Sequence, residues 1–147
     1  MTGDLFLVAE IGGRTVAVPA ADVASVSELE KTTAVPGAPE WIEGIGTQRS
    51  RALTVIDACK AIGIEGPDDG QVPDARCIVF VCEGHQYALR CDRILDVTPA
   101  ESLSGEAPKG LGALWLTATA GVVETAFGPA LRLDLPACVA GPDRIAA

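Results

Sequence analysis

The chain has 147 residues, of which 48% are hydrophobic and 21% charged, enough apolar material to bury a core and no composition for global disorder. Its net charge of −9 argues against nucleic acid or an anionic membrane surface as partner, because phosphate demands clustered Lys and Arg, and only Arg49 and Arg51 stand close together. Five cysteines with no Cys-x-x-Cys pair, and no secretory leader at Met1-Thr-Gly-Asp4, lead to the expectation of reduced thiols in a cytoplasmic protein.

Residues 5–11 and 14–18 are β-rich runs around Gly12-Gly13, two glycines that accept the positive φ values of a tight hairpin turn. Residues 23–26 read as a short third strand. Pro36 and Pro39 bracket a loop, and residues 40–43 predict a single helical turn ending at Gly44. Residues 45–48 and 52–56 predict a strand pair around Arg49-Ser50, and Asp57 is placed to cap a helix over 58–62 that Gly63 ends. Residues 65–74, acidic and rich in Gly and Pro, read as a solvated seam between two halves. Asp68-Asp69-Gly70 lacks the alternating Asp positions and the Glu of a calcium loop.

Past the seam the opening unit recurs. The segment from Phe6 to Val26 and the segment from Cys77 to Val97 align without a gap, 71 residues apart, with Val8/Val79, Gly13/Gly84, Ala17/Ala88 and Val26/Val97 identical. A duplicated strand-turn-strand unit implies a molecule built from two copies of one β module. Strands over 78–82 and 87–91 flank Glu83-Gly84-His85-Gln86, a spacing that sets Cys82 opposite Tyr87 and Cys91 opposite Ile78. In runs such as Ile78-Val-Phe-Val81 both alternating faces are apolar, so both are expected to be covered. Residues 94–97, 114–116, 122–125 and 130–133 complete the candidate strands. The uncharged stretch 110–123 is too short to cross a bilayer, so no membrane insertion is expected.

Residues 39–63, which read Pro-Glu-Trp-Ile-Glu-Gly-Ile-Gly-Thr-Gln-Arg-Ser-Arg-Ala-Leu-Thr-Val-Ile-Asp-Ala-Cys-Lys-Ala-Ile-Gly, resemble the signature segment of the CheW-like chemotaxis coupling proteins. The family pattern there runs Pro, one residue, aromatic, Ile, a charge, Gly-Val, then Asn-Leu-Arg-Gly, a β run and Pro-(Val/Ile)-(Val/Ile)-Asp-Leu. Both hairpins fit the same family, so the resemblance covers 5–63 well and 77–98 fairly. It implies an all-β fold of two packed, SH3-like, five-stranded barrels with short helical segments. The approximate halves are 1–70 and 71–147, with terminal segments open to exchange between them. It also implies a non-enzymatic scaffold with no cofactor, partnered by the regulatory domain of a CheA-type histidine kinase and by a chemoreceptor cytoplasmic tip. The family's functional Val falls on Val23, its signature Gly on Gly44 and its signature Arg on Arg49. Asn-Leu-Arg-Gly has become Thr47-Gln48-Arg49-Ser50, a common Glu is Ser25, and the Pro before Val-Ile-Asp is Thr54. The alternatives are a divergent CheW-like protein that competes for or regulates the kinase in another pathway, and a small-ligand or metal-binding barrel.

The candidate partner-binding residues are Val23, Ser25, Trp41, Ile42, Gly44, Thr47 and Arg49. Arg49 offers a guanidinium fork for a carboxylate or for backbone carbonyls, against the plainer reading of a solvated turn. Trp41 reads as a core plug in preference to a docking anchor, and Trp115 likewise. Val23 and Ile42 suit barrel packing by residue type alone. Cys82 and His85 could form half a metal site, but the chain has one histidine and no second cluster to complete it. No phosphate loop, dinucleotide fingerprint or nucleophile elbow is present, so nothing recommends an enzyme.

Overall fold

Gly12 and Gly13 take φ values of 58° and 81° and close β1 (Asp4–Ile11) onto β2 (Arg14–Pro19), the two-residue turn whose twist suits a hairpin. The computed structural model describes residues 4–29, 32–65, 72–103 and 110–142. The rest of the expected seam, residues 66–71 with Asp68-Asp69-Gly70, lies outside the described residues. A 3-10 turn (Ala20–Asp22) leads into β3 (Ser25–Glu28), followed by β4 (Ile42–Gln48), β5 (Arg51–Asp57) and α1 (Ala58–Ile62). The second module gives β6 (Arg76–Cys82), β7 (His85–Arg90) and β8 (Arg93–Leu103), then α2 (Ala113–Ala118), β9 (Thr119–Thr125), β10 (Gly128–Leu133) and α3 (Leu135–Ala140).

The strands make two five-stranded sheets, a closed barrel in the order β1-β2-β10-β9-β8 and a sheet in the order β3-β6-β7-β5-β4. Each module keeps its hairpin and gives its third strand away: β3 pairs with β6 and β8 pairs with β1. Neither sheet is therefore confined to one side of residue 70. The relation extends to the rest of the chain. β4, β5 and α1 correspond to β9, β10 and α3, and each of the parallel pairs β5–β7 and β10–β2 joins a late strand to a hairpin.

Both faces of the hairpin strands are buried, as the apolar runs demanded. On one face Phe6, Ala17, Ala100, Val123 and Ala130 fill the closed barrel. Leu53, Val55, Cys77, Val79 and Ala88, with Leu29, fill the second sheet's concave side. The opposite faces meet between the sheets, where Leu7, Ile11, Val16 and Val18 pack against Ile56, Ile78, Phe80 and Leu89. Each such side chain contributes about 1.5–3 kcal/mol on burial, so this central layer holds the two sheets as one body.

Four expectations change. No helical turn forms over 40–43: Ile42 N–H donates to Pro39 O at 3.0 Å in a single turn, and Ile42 then pairs with Ile56 as the start of β4. Gly44 sits at a bulge where a Cβ would collide with the Thr33 carbonyl oxygen, so glycine is required there by close approach. The second hairpin closes on Glu83-Gly84 alone, with φ of 50° and 81°, which sets Cys82 opposite His85 and Phe80 opposite Tyr87 and replaces the Cys82–Tyr87 and Cys91–Ile78 pairing. Residues 114–116 belong to helix α2, which buries Trp115 and Ala118 three positions apart on one face.

Candidate functional site

β3 and β4 are the outer strands of the second sheet, and the seam between them is where the unusual chemistry lies. At one end Thr33 and Ile45 exchange backbone hydrogen bonds, both 2.9 Å. At the other end, among the described residues, no ladder joins β3 to β4. The Gln48 side-chain amide spans the gap, donating to Ser25 Oγ at 3.1 Å and also to Ser27 Oγ. The pleat explains the arrangement: Ser25 and Ser27 pair with Val79 and Cys77, which point into the sheet's interior, so both hydroxyls face inward and need a polar partner. Immediately beyond Gln48, Arg49 and Ser50 adopt φ of 50° and 67°. Two successive non-glycine residues in the left-handed region store strain at this turn.

Val23 opens on a groove of about 560 Å³ between the two sheets. Phe80, Leu133 and Leu135 make its apolar floor, while Asp22, Arg132 and Asp134 supply polar groups. Asp134 is committed to capping α3 through Ala137 N–H at 3.2 Å, and the Arg132 guanidinium lies 5.8 Å from the Phe6 ring. Cys82 lines the same groove half-buried, its thiol pushed up by burial and then by Glu83 and Asp134. The interior thiols are held protonated more firmly. Burial, reinforced by Asp92 at 3.5 Å, pushes Cys59 up to about 12, and burial pushes Cys77 up to about 11. Among the described residues no three His, Cys, Asp or Glu side chains converge as metal ligands would, and no helix is long and apolar enough to cross a membrane.

The seven candidate residues divide into two places. Val23, Ser25, Thr47 and Arg49 gather around the Gln48 bridge and the groove mouth. Trp41, Ile42 and Gly44 lie toward the other end of β4, Ile42 about 20 Å and Gly44 about 13 Å from Gln48 at the usual rise per strand residue. There Trp41 is half-buried against the central core, with its Nε1 donating to Val139 O at 3.2 Å, and Ile42 packs on the same core. Glu43 beside them pairs with Arg90 at 2.7 Å and accepts from Thr32 Oγ1 at 2.9 Å. Arg49 is exposed, and among the described residues no ion pair holds it. The sequence reading missed Gln48, Arg132 and Asp22. The alternation Ser25-Val26-Ser27 was the available signal for Gln48, since two inward hydroxyls require a donor across the seam.

A model of the CheW-like domain matches residues 5–141. This chain belongs to the CheW-like family. The CheW-like fold is also that of a crystal structure described as the scaffolding protein TtCheW from Thermoanaerobacter tengcongensis, which superposes with a TM-score of 0.72 at 22% identity over 90% of this chain and 89% of that one. Protein PilI of Pseudomonas aeruginosa is 33% identical over 55 residues, a stretch that is 37% of this chain and 31% of that protein. Family membership makes this CheW-like domain one of a class of scaffold and adaptor proteins.

Proposed function

We infer that this CheW-like domain couples a chemoreceptor cytoplasmic tip to the regulatory domain of a CheA-type histidine kinase in the cytoplasm, as a scaffold without a reaction of its own. The observation that carries the reading is the groove between the sheets, with Val23 on its wall and the Arg49 turn joined to it through Gln48. An amphipathic receptor helix would lay its apolar stripe over Val23, Ala24 and Val81, the accessible apolar lining of the groove. Arg49, exposed and held by no ion pair among the described residues, would take a carboxylate, with Ser25 and Thr47 as hydrogen-bonding neighbours. Trp41, Ile42 and Gly44 would support that surface from inside β4. The kinase would dock barrel against barrel, through shape and a few polar contacts.

The test is binding of the purified receptor tip and the kinase regulatory domain to the wild type, Val23→Asp and Arg49→Ala. Each substitution is expected to weaken binding by about tenfold or more, the effect of losing one contact worth about 1.4 kcal/mol. Receptor binding should also slow alkylation of Cys82. Wild-type protein that binds neither probe, and instead retains a small molecule or metal through purification, overturns the adaptor reading. The likeness to PilI favours a second reading, in which the same scaffold serves a pathway other than flagellar chemotaxis; kinases from different pathways, compared in the same assay, separate the two.

A further inference from the structure

The two sheets are built alike but closed differently. In the first, β8 runs on to pair with β9 through Glu101/Glu124, Ser102/Val123 and Leu103/Val122, so the barrel is zipped by backbone. In the second, β3 is four residues long; past its end Thr33 and Ile45 bridge the seam by backbone, but alongside β3 itself the bonds to β4 come from the Gln48 side chain. Gln48 reaches both serine hydroxyls, and those hydroxyls lie 3.2 Å from each other, so the amide and the two serines form one cluster. The cluster sits between two pieces of the surface, and among the described residues no other hydrogen bond runs directly from β3 to β4. Val23 leads into β3 on one side, and Arg49 follows β4 on the other.

We propose that Gln48 is a positioning residue for partner binding: its amide locks β3 to β4 and so fixes the groove wall at Val23 and the guanidinium of Arg49 as one surface. The proposal rests on the adaptor reading for its functional meaning, and on the Gln48–Ser25–Ser27 cluster for its physical basis. A backbone ladder would hold the seam regardless of side chain; at its Ser25 end, beyond the Thr33–Ile45 bridge, a single amide makes the geometry depend on one residue. The Arg49-Ser50 turn, already strained, has no other anchor to β3 among the described residues, so loss of the amide frees Arg49 from the groove wall without touching either core.

The experiment compares the wild type, Gln48→Leu, Ser25→Ala/Ser27→Ala and the combination of all three changes. With the protein alone, NMR is expected to show protected Gln48 side-chain amide protons and, in Gln48→Leu, shifted signals for Val23 across the seam. With the receptor tip or kinase regulatory domain as probe, Gln48→Leu and the serine variant should each lose about tenfold in affinity, and the combined variant should lose no more than either. Should Gln48→Leu fail to fold, the serine variant tests the same cluster from the other strand. Losses that multiply in the combined variant, or Val23 signals unmoved by Gln48→Leu, overturn the proposal. Wild-type protein that binds neither probe defeats the adaptor reading, and the Val23 signals then decide on the lock by themselves.

Discussion

Asp74 ties together the ends of β6, β7 and β8, strands of both sheets, more than its place next to the linker suggests. Its carboxylate accepts from Arg76 Nη2 at 3.0 Å and from the backbone N–H groups of Arg76 and Ile94, and its carbonyl accepts from Arg90. Burial by itself would raise this carboxyl, but the hydrogen bonds from Arg76 and Ile94 outweigh it and lower it from 3.8 to about 2. A carboxyl with a depressed folded-state value stabilises the fold above its ordinary value and loses that contribution as the pH falls toward the depressed one. The thermal midpoint should therefore decline between about pH 4 and pH 2, and Asp74→Asn should flatten that limb while lowering the midpoint at neutral pH. A pH profile of the variant that runs parallel to the wild type would show that Asp74 does not carry the effect. Ser50 shows the opposite economy: it takes a left-handed φ where the family pattern places glycine, so the turn carries strain that the sequence alone already signalled.

At the scale of elements, α1 and α3 are the clearest case of local signals deciding structure. Each follows a strand that ends in Asp, and each Asp caps it, Asp57 by accepting from Lys60 N–H and Asp134 by accepting from Ala137 N–H, both 3.2 Å. Asp134→Ala should cost about 1 kcal/mol by loss of the cap. Because α3 also supplies the Val139 carbonyl that receives Trp41 Nε1, near-UV circular dichroism of the tryptophans should change along with the denaturant midpoint. An unchanged midpoint would mean the cap is dispensable. Helix α2 was illegible by the same method, since Leu114, Trp115 and Leu116 suit either a strand or a helix. Its burial of Trp115 under the Arg14 guanidinium, 5.6 Å from the ring, depends on a strand far away in the sequence.

For the whole molecule, the exchange of third strands makes the two sheets interdependent. β3, β4 and β5 form a sheet only with β6 and β7, and β1 and β2 close a barrel only with β8, β9 and β10. Fragments 1–70 and 71–147 should each remain unfolded by amide NMR, whereas their coexpression should restore a folded complex. Independent folding of either fragment would contradict a shared core. The same interdependence bears on function, because the groove exists only where one sheet's β6 passes the other sheet's β10.

The amino-acid sequence by itself determined the module, its duplication, the hairpin strands, the Asp57-capped helix and the family; the matching helix after Asp134 went unread. Those features rest on local periodicity, on turn residues and on motifs whose spacing survives divergence. Only the tertiary structure decided which strands share a sheet, that residues 40–43 enter β4 without forming a helical turn, and that Trp41 and Gly44 sit far from Arg49 along that strand. It also decided what Gln48 bonds to. An amide on a strand is an ordinary surface residue until the fold brings two inward serines against it, and no rule of local sequence specifies which strand will stand across the seam.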